Sequence, residues 1–225
     1  MRRFKLFGLA VLAVFAATAV VTASASAVAP LPQVLPTTIT EWHGTQVGVA
    51  SLEQSESGLK IECSGGSGLG VIESSRTLGL FHITFTGCKA LSGQCTGLGD
   101  ATAGTILTLG LWHSVIDVDE PNLAAAILFL IEEVHFSCGI VLIKVKGSVL
   151  CLVLEPLALT LEKEFHCTQK VGVPDEKTYQ NDLGQLVEDT KLESSTSEAA
   201  FKGAGELALA KLKGLPEGIP WKIDD

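Results

Sequence analysis

Asp117, Asp119 and Glu120 bring three carboxylates within four residues, the oxygen donors that a hard cation such as calcium prefers. Counted from Asp117, an EF-hand loop would have Pro121 and Asn122 at its fifth and sixth positions and Leu128 at its twelfth, which does not fit. An acidic turn is the simpler reading, with a weak calcium site on these three residues as the alternative. Ser57-Gly58-Leu59-Lys60 has the S-x-x-K spacing by which a lysine helps activate a serine in penicillin-interacting enzymes. Neither S-D-N nor K-T-G accompanies it, and a serine-rich chain yields such a match by chance.

His43, His82, His113, His135 and His166 are scattered, and none belongs to an H-E-x-x-H pair. His82, His135 and His166 fall on the polar parity of strand-like runs, so a solvated sheet face accounts for them. Glycines 65–70 match neither G-x-S-x-G nor G-x-G-x-x-G, and a flexible turn suffices there. Trp42, Trp112 and Trp221 are candidates for a carbohydrate-stacking platform, although Trp42 and Trp112 sit in strand-like runs and are expected in the core. No catalytic residue and no cofactor is assigned, and the chain reads as a binding or structural protein rather than an enzyme. A carboxylate pair for glycoside hydrolysis depends on a separation that only the fold sets.

The elements that would position these residues are β-like. Phe81, Ile83 and Phe85 alternate with His82, Thr84 and Thr86, and the strand runs through Gly87 into a loop bracketed by Cys88 and Cys95. Residues 1–27 have the basic, apolar, small-residue order of a secretory signal peptide, with Ala25-Ser26-Ala27 as its cleavage motif. Their removal deletes three of the 16 basic residues and none of the 25 acidic ones, leaving a net charge of −12. So acidic a chain is not expected to bind a phosphate backbone. No other apolar run is long enough to span a bilayer as a helix.

In an exported chain, Cys63, Cys88, Cys95, Cys138, Cys151 and Cys167 favour disulfides over a metal cluster, because they contain no C-x-x-C and are not grouped with histidine. The pairing expected from spacing is Cys88 with Cys95, Cys63 with Cys138 and Cys151 with Cys167, the first because its loop is so short.

Residues 28–36, with three prolines, are expected to be an extended tether, 37–213 a single β domain and 214–225 a tail. Two β runs split at Gly110 are expected across 105–118. Residues 121–133 have helical composition but flow with clean alternation into Val134 to Cys138, which favours a hairpin turning at Glu132-Glu133. Val149 to Leu154 is apolar on both faces, as in a covered strand. Leu159, Leu161, Phe165 and Cys167 share one parity of the next run, and 199–213 reads as either a short helix or a strand. Many short β runs between Gly-rich turns predict an all-β fold: an antiparallel sandwich or partly open barrel with disulfides and at most one or two short helices.

FTGC at 85–88, a second cysteine at 95, FSCG at 136–139 and GSV at 147–149 followed by Pro156 resemble a group of uncharacterised secreted actinobacterial proteins. The resemblance covers roughly 63–209. It implies that Cys151 and Cys167 are an added pair, and it carries no activity. The expected function is a secreted binding or structural module at the cell envelope or outside the cell, acting through loops at 64–70, 89–104 and 168–198 on cell-wall glycan or another envelope protein. An exported glycan or peptide hydrolase using carboxylates from separate strands is the alternative. A third class, an inhibitor-like module, would present 88–95 as a rigid exposed loop.

Overall fold

The computed structural model describes residues 30–54, 57–91, 93–99, 102–118, 124–168, 178–181, 183–188, 191–197 and 199–224. They form an all-β structure, with no helix among the described residues. Its strands join end to end into eight long staves. β2 (Glu41–Gln46) and β3 (Ala50–Gln54) make the first, β4 (Lys60–Cys63) and β5 (Gly65–Val71) the second, and β6 (Leu78–Thr86) and β7 (Lys89–Ala90) the third. β8 (Gly93–Gly97) and β9 (Ile106–Asp117) make the fourth, while β10 (Ala124–Cys138) and β11 (Val141–Val153) are the unbroken fifth and sixth. β12 (Glu162–Thr168) and β15 (Leu192–Thr196) share the seventh, and β16 (Lys202–Leu215) is the eighth.

Each stave pairs antiparallel with the next. The circuit then closes, because β16 pairs with β2 and Leu212 lies opposite Gly44. Of the two arrangements the sequence allows, the sheet takes the barrel, an up-and-down meander whose closure removes exposed sheet edges. β9 shows the alternation most plainly, with Ile106, Thr108, Gly110 and Trp112 turned inward and Leu107, Leu109 and Leu111 outward.

The Gly-rich stretch is a barrel strand and not the expected turn. β5 turns Gly66, Gly68 and Gly70 toward the interior, where a Cβ on Gly70 would come within 1.9 Å of Trp42 Cε2. The indole of Trp42 thus occupies the volume that a side chain on the neighbouring stave would need. Gly110 likewise does not split two runs. β9 continues through it, because a Cβ there would stand 1.9 Å from the Leu130 carbonyl oxygen on β10. Glu132 and Glu133 do not turn the chain either. They sit in a β-bulge of β10, where the register with β11 shifts between Ile131 and Val134, and both carboxylate-bearing residues are exposed. The reversal comes instead at Gly139-Ile140, with Gly139 at φ +61°, as a two-residue hairpin loop requires. Residues 121–123 lie outside the described residues.

The cysteines correct the expected pairing. Disulfides join Cys63 to Cys88, Cys95 to Cys138 and Cys151 to Cys167, so the Cys88–Cys95 and Cys63–Cys138 pairs are not formed. Cys63, Cys88, Cys95 and Cys138 stand in one row across four adjacent staves. Within that row the Cys95 amide donates to the Cys88 carbonyl, and the Cys88 amide donates to the Gly104 carbonyl, both at 2.9 Å. The flanking pairs approach to 3.9 and 4.0 Å between Cα atoms, and the bonds form there. Chain-entropy arithmetic assigns each bridge about 3 to 4 kcal/mol.

Neither the expected tether nor the expected tail is loose. β1 (Gln33–Leu35) pairs with β17 (Lys222–Asp224) across one end of the barrel, burying Val34, Ile39, Trp221 and Ile223. Leu157, Leu159 and Leu161 belong to the loop before β12 and are exposed, while Phe165 is buried as its parity predicts. On the outer wall, Leu150 and Leu152 pack with Val115, Ala126 and Leu128 under Tyr179 of β13 (Thr178–Gln180), which forms a hairpin with β14 (Leu186–Glu188). That second cover explains why β11 is apolar on both faces.

Gly70→Ala is expected to destabilise the barrel by about 1–3 kcal/mol or more through overpacking against Trp42. Ser67→Ala on the exposed face of the same strand should stay within about 0.5 kcal/mol. Urea midpoints compare the two, and equal midpoints would contradict the inward placement of Gly70.

Candidate functional site

The barrel is not filled. It holds a cavity of about 150 Å³ whose wall carries Trp42, Phe81, Phe85, Phe129, Phe136 and Phe165, with Ile61, Ile83, Ile106, Val145 and Val149 between them. Trp42 on the first stave reaches Phe129 on the fifth, so rings bridge the bore at that level, with centroids 6.3 Å apart. Phe81 meets Phe129 edge to face at 4.9 Å. On the first, second and eighth staves the cavity is bordered by Gly44, Gly66, Gly68, Ala208 and Ala210. At the three glycines the space that a Cβ would need is taken by Leu212 Cδ2 (2.5 Å), Gln46 Oε1 (2.8 Å) and Ile83 Cγ1 (3.0 Å).

Polar groups at this wall are few. Gln46 Nε2 donates to the carbonyls of Gly48 and Cys63, both at 2.8 Å, which stitches the break between β2 and β3 to the second stave. Those two acceptors fix the orientation of the amide. Gln46 Oε1 packs toward Gly66 and has no hydrogen-bond partner among the described residues. Thr108 is buried on the same wall. No Asp, Glu, His, Lys or Arg among the described residues lines the cavity.

Two buried cations close the end that carries β1 and β17. Arg76, at φ +65°, donates from Nε and Nη2 to Val34 O (2.9 and 2.6 Å), from Nη2 to Pro36 O (2.9 Å) and from Nη1 to Ile39 O (2.5 Å). Burial pushes its pKa below the ordinary value. Lys163 donates to Glu155 O at 2.7 Å and to Ala158 O. Burial pushes its pKa below 10.5, with the charge of Glu155 opposing in part. Main-chain carbonyls thus serve both cations, fastening the N-terminal segment and the 154–161 loop over the barrel mouth. Trp221 adds a third tie, its Nε1 donating to Leu161 O at 3.3 Å.

The residues singled out in the sequence are not brought together. Asp117 ends β9 on the outer wall, fully buried opposite Tyr179, and Asp119 and Glu120 lie outside the described residues. No group of three His, Cys, Asp or Glu side chains arranged for a metal ion occurs among the described residues. The histidines stand on outward parities of separate staves. Ser57 Oγ donates to Gln54 Oε1, while Lys60 pairs with Glu62 at 2.9 Å. All three tryptophans are buried, so none contributes to a stacking surface. The cavity itself escaped sequence reasoning, and its one legible signal was the run of glycines at alternate positions of β5.

All six cysteines are bonded, which suits an oxidising compartment, and no helix of the described residues is long and apolar enough to cross a membrane. No protein-family model, no curated protein and no solved structure matches this chain.

Because folded Lys163 holds its proton less tightly than it does in the unfolded chain, the unfolded state carries more protons in the interval below 10.5, and stability rises with pH there. The urea midpoint of the wild type should therefore gain on that of Lys163→Met as pH is raised toward 10.5. A pH-independent difference between the two would contradict the burial of the ammonium.

Proposed function

We propose that this chain is an exported binding protein that holds a small apolar molecule inside its barrel. The observation that supports the reading is the apolar cavity of about 150 Å³, lined by six aromatic side chains and free of charged side chains among the described residues. Eight-stranded barrels either fill their interior or hold one small ligand, and a dry apolar void of this size is known to accept a single ring. With no acidic or basic side chain among the described residues at the cavity wall to activate a hydroxyl there, binding is favoured over hydrolysis. The envelope or the extracellular space is the compartment suggested by the N-terminal signal pattern and the bonded cysteines.

Toluene is the probe. Saturating it at about one hundred times its Kd should stabilise the protein by about 2.7 kcal/mol, read as a rise in Tm. Val149→Phe, which fills the cavity from the sixth stave, should remain folded and lose that rise. Absence of a shift in the wild type, together with no heat of binding by calorimetry, would end the small-molecule reading. The compartment is checked separately: the protein recovered outside the cell should begin at Val28, and N-terminal sequencing that finds Met1 would remove the export reading.

A further inference from the structure

The outer wall of the barrel carries a face without charge. β5, β6 and β9 lie side by side on the second, third and fourth staves, and they hold no Asp, Glu, Lys or Arg before Asp117 at the end of β9. Leu80, Leu107, Leu109 and Leu111 point outward there, with Val71 at the end of β5, and these five side chains are 38% to 56% exposed. Leu80 stands directly opposite Leu111, while His82 and Thr84 stand opposite Leu109 and Leu107. The row runs on from Leu111 to Leu130 of the fifth stave, where the outer wall is covered. Beyond that point Leu128 is 3% exposed and Leu150 1%, packed with Tyr179. One part of the apolar exterior thus has its cover, and the adjoining part stands open.

We propose that this open face is the docking surface for a second copy of the chain. Charge argues for that occupant. Glu41 on the first stave and the exposed Glu132 and Glu133 on the fifth border the face, and the chain as a whole carries −9 at pH 7. Two such molecules repel over most of their surfaces and approach most easily where each lacks charge. A second copy presents the same leucines, so the patch is its own complement about a two-fold axis. A lipid surface fits less well. None of the exposed side chains on these three strands is Trp, Tyr, Lys or Arg, the types that anchor proteins at a bilayer, and anionic headgroups repel an acidic chain.

The five apolar side chains expose on the order of 400 Å², within the range of about 300–600 Å² for the largest apolar patch on a monomer. Ser67, His82 and Thr84 extend the face toward the roughly 800 Å² that each partner gives to a standard interface. A contact of that size suits a reversible dimer with a Kd on the order of 1–100 μM.

Sedimentation equilibrium on the mature protein, from about 1 μM to about 1 mM, reads the pairing directly. The wild type should pass from monomer to dimer, and the dimer should gain as added salt screens the repulsion between two acidic copies. Leu80→Asp, which sets a carboxylate on the face of each copy, should stay monomeric throughout. Leu159→Asp, on an exposed loop at the barrel mouth, should pair as the wild type does. Urea midpoints at the lowest concentration should be alike for all three, because both substitutions are at exposed positions. Should Leu80→Asp fail to fold, amide spectra of the wild type on dilution decide, and the resonances that move should be those of β5, β6 and β9.

A wild type that is still monomeric at the highest concentration would overturn the proposal. So would a dimer that survives Leu80→Asp, or dilution shifts confined to other strands. Flotation of the wild type with phosphatidylcholine vesicles, lost in Leu80→Asp, would assign the face to lipid and overturn it as well.

Discussion

Pairing of β16 with β2, nearly the last strand with nearly the first, is the constraint from which the rest of the architecture follows. Until Lys211, Leu212 and Lys213 lie opposite Thr45, Gly44 and His43, the chain is an open meander with two long unpaired edges. Once they do, alternate residues of every stave are committed to one interior and the others to one exterior. Closure also brings Leu212 so near to the first stave that a Cβ on Gly44 would stand 2.5 Å from its Cδ2. The glycines therefore belong to the closing contacts and not to turns. Closing a loop of nearly the whole chain costs configurational entropy, and the three disulfides offset it by joining neighbouring staves in the unfolded chain as well.

Much of the strand content was legible, because period-2 alternation is a local property. Phe81 to Phe85, Val149 to Val153 and Phe165 to Cys167 were read with the right faces, since the side-chain pattern of each shows within a few residues which faces are covered. Closure was not legible, because no residue between 41 and 46 indicates a partner some 165 positions later. The same blindness to cross-strand neighbours caused the other departures. Gly66, Gly68 and Gly70 looked like a turn because the groups that fill the space over them, Gln46, Ile83 and Trp42, stand on other staves. Cys88 and Cys95 looked like partners because a short loop joins them, while each is bonded to a cysteine on its other side. Of the candidate site, only the run of alternate glycines was visible, and it carries no meaning until the strand that faces it is known.

The N-terminal segment was misread for an electrostatic reason as well as a topological one. Its prolines give it the composition of a loose tether, yet it carries the carbonyls that solvate one of two buried cations, while the internal 154–161 loop serves the other. Arg76 takes its acceptors from Val34, Pro36 and Ile39, and Lys163 takes its own from Glu155 and Ala158. An unpaired cation in an apolar barrel mouth would be costly, so these oxygens and the segments that bear them are held together. The arrangement uses hydrogen bonds where an acid partner would be the usual expectation, and it keeps carboxylates out of the interior.

An unfilled interior has its own consequence. A void of about 150 Å³ left in an otherwise packed core forgoes about 3 to 4 kcal/mol relative to a filled one, at about 24 cal/mol per Å³. That loss equals roughly one of the three disulfides. Leucine or valine in place of Ala208 and Ala210 would fill much of the same space without new chemistry. Ala208 and Ala210 therefore border the cavity at an expense of stability. The glycines beside them are accounted for by the side chains that pack over them. A guest that supplies the missing contacts would recover the loss on binding.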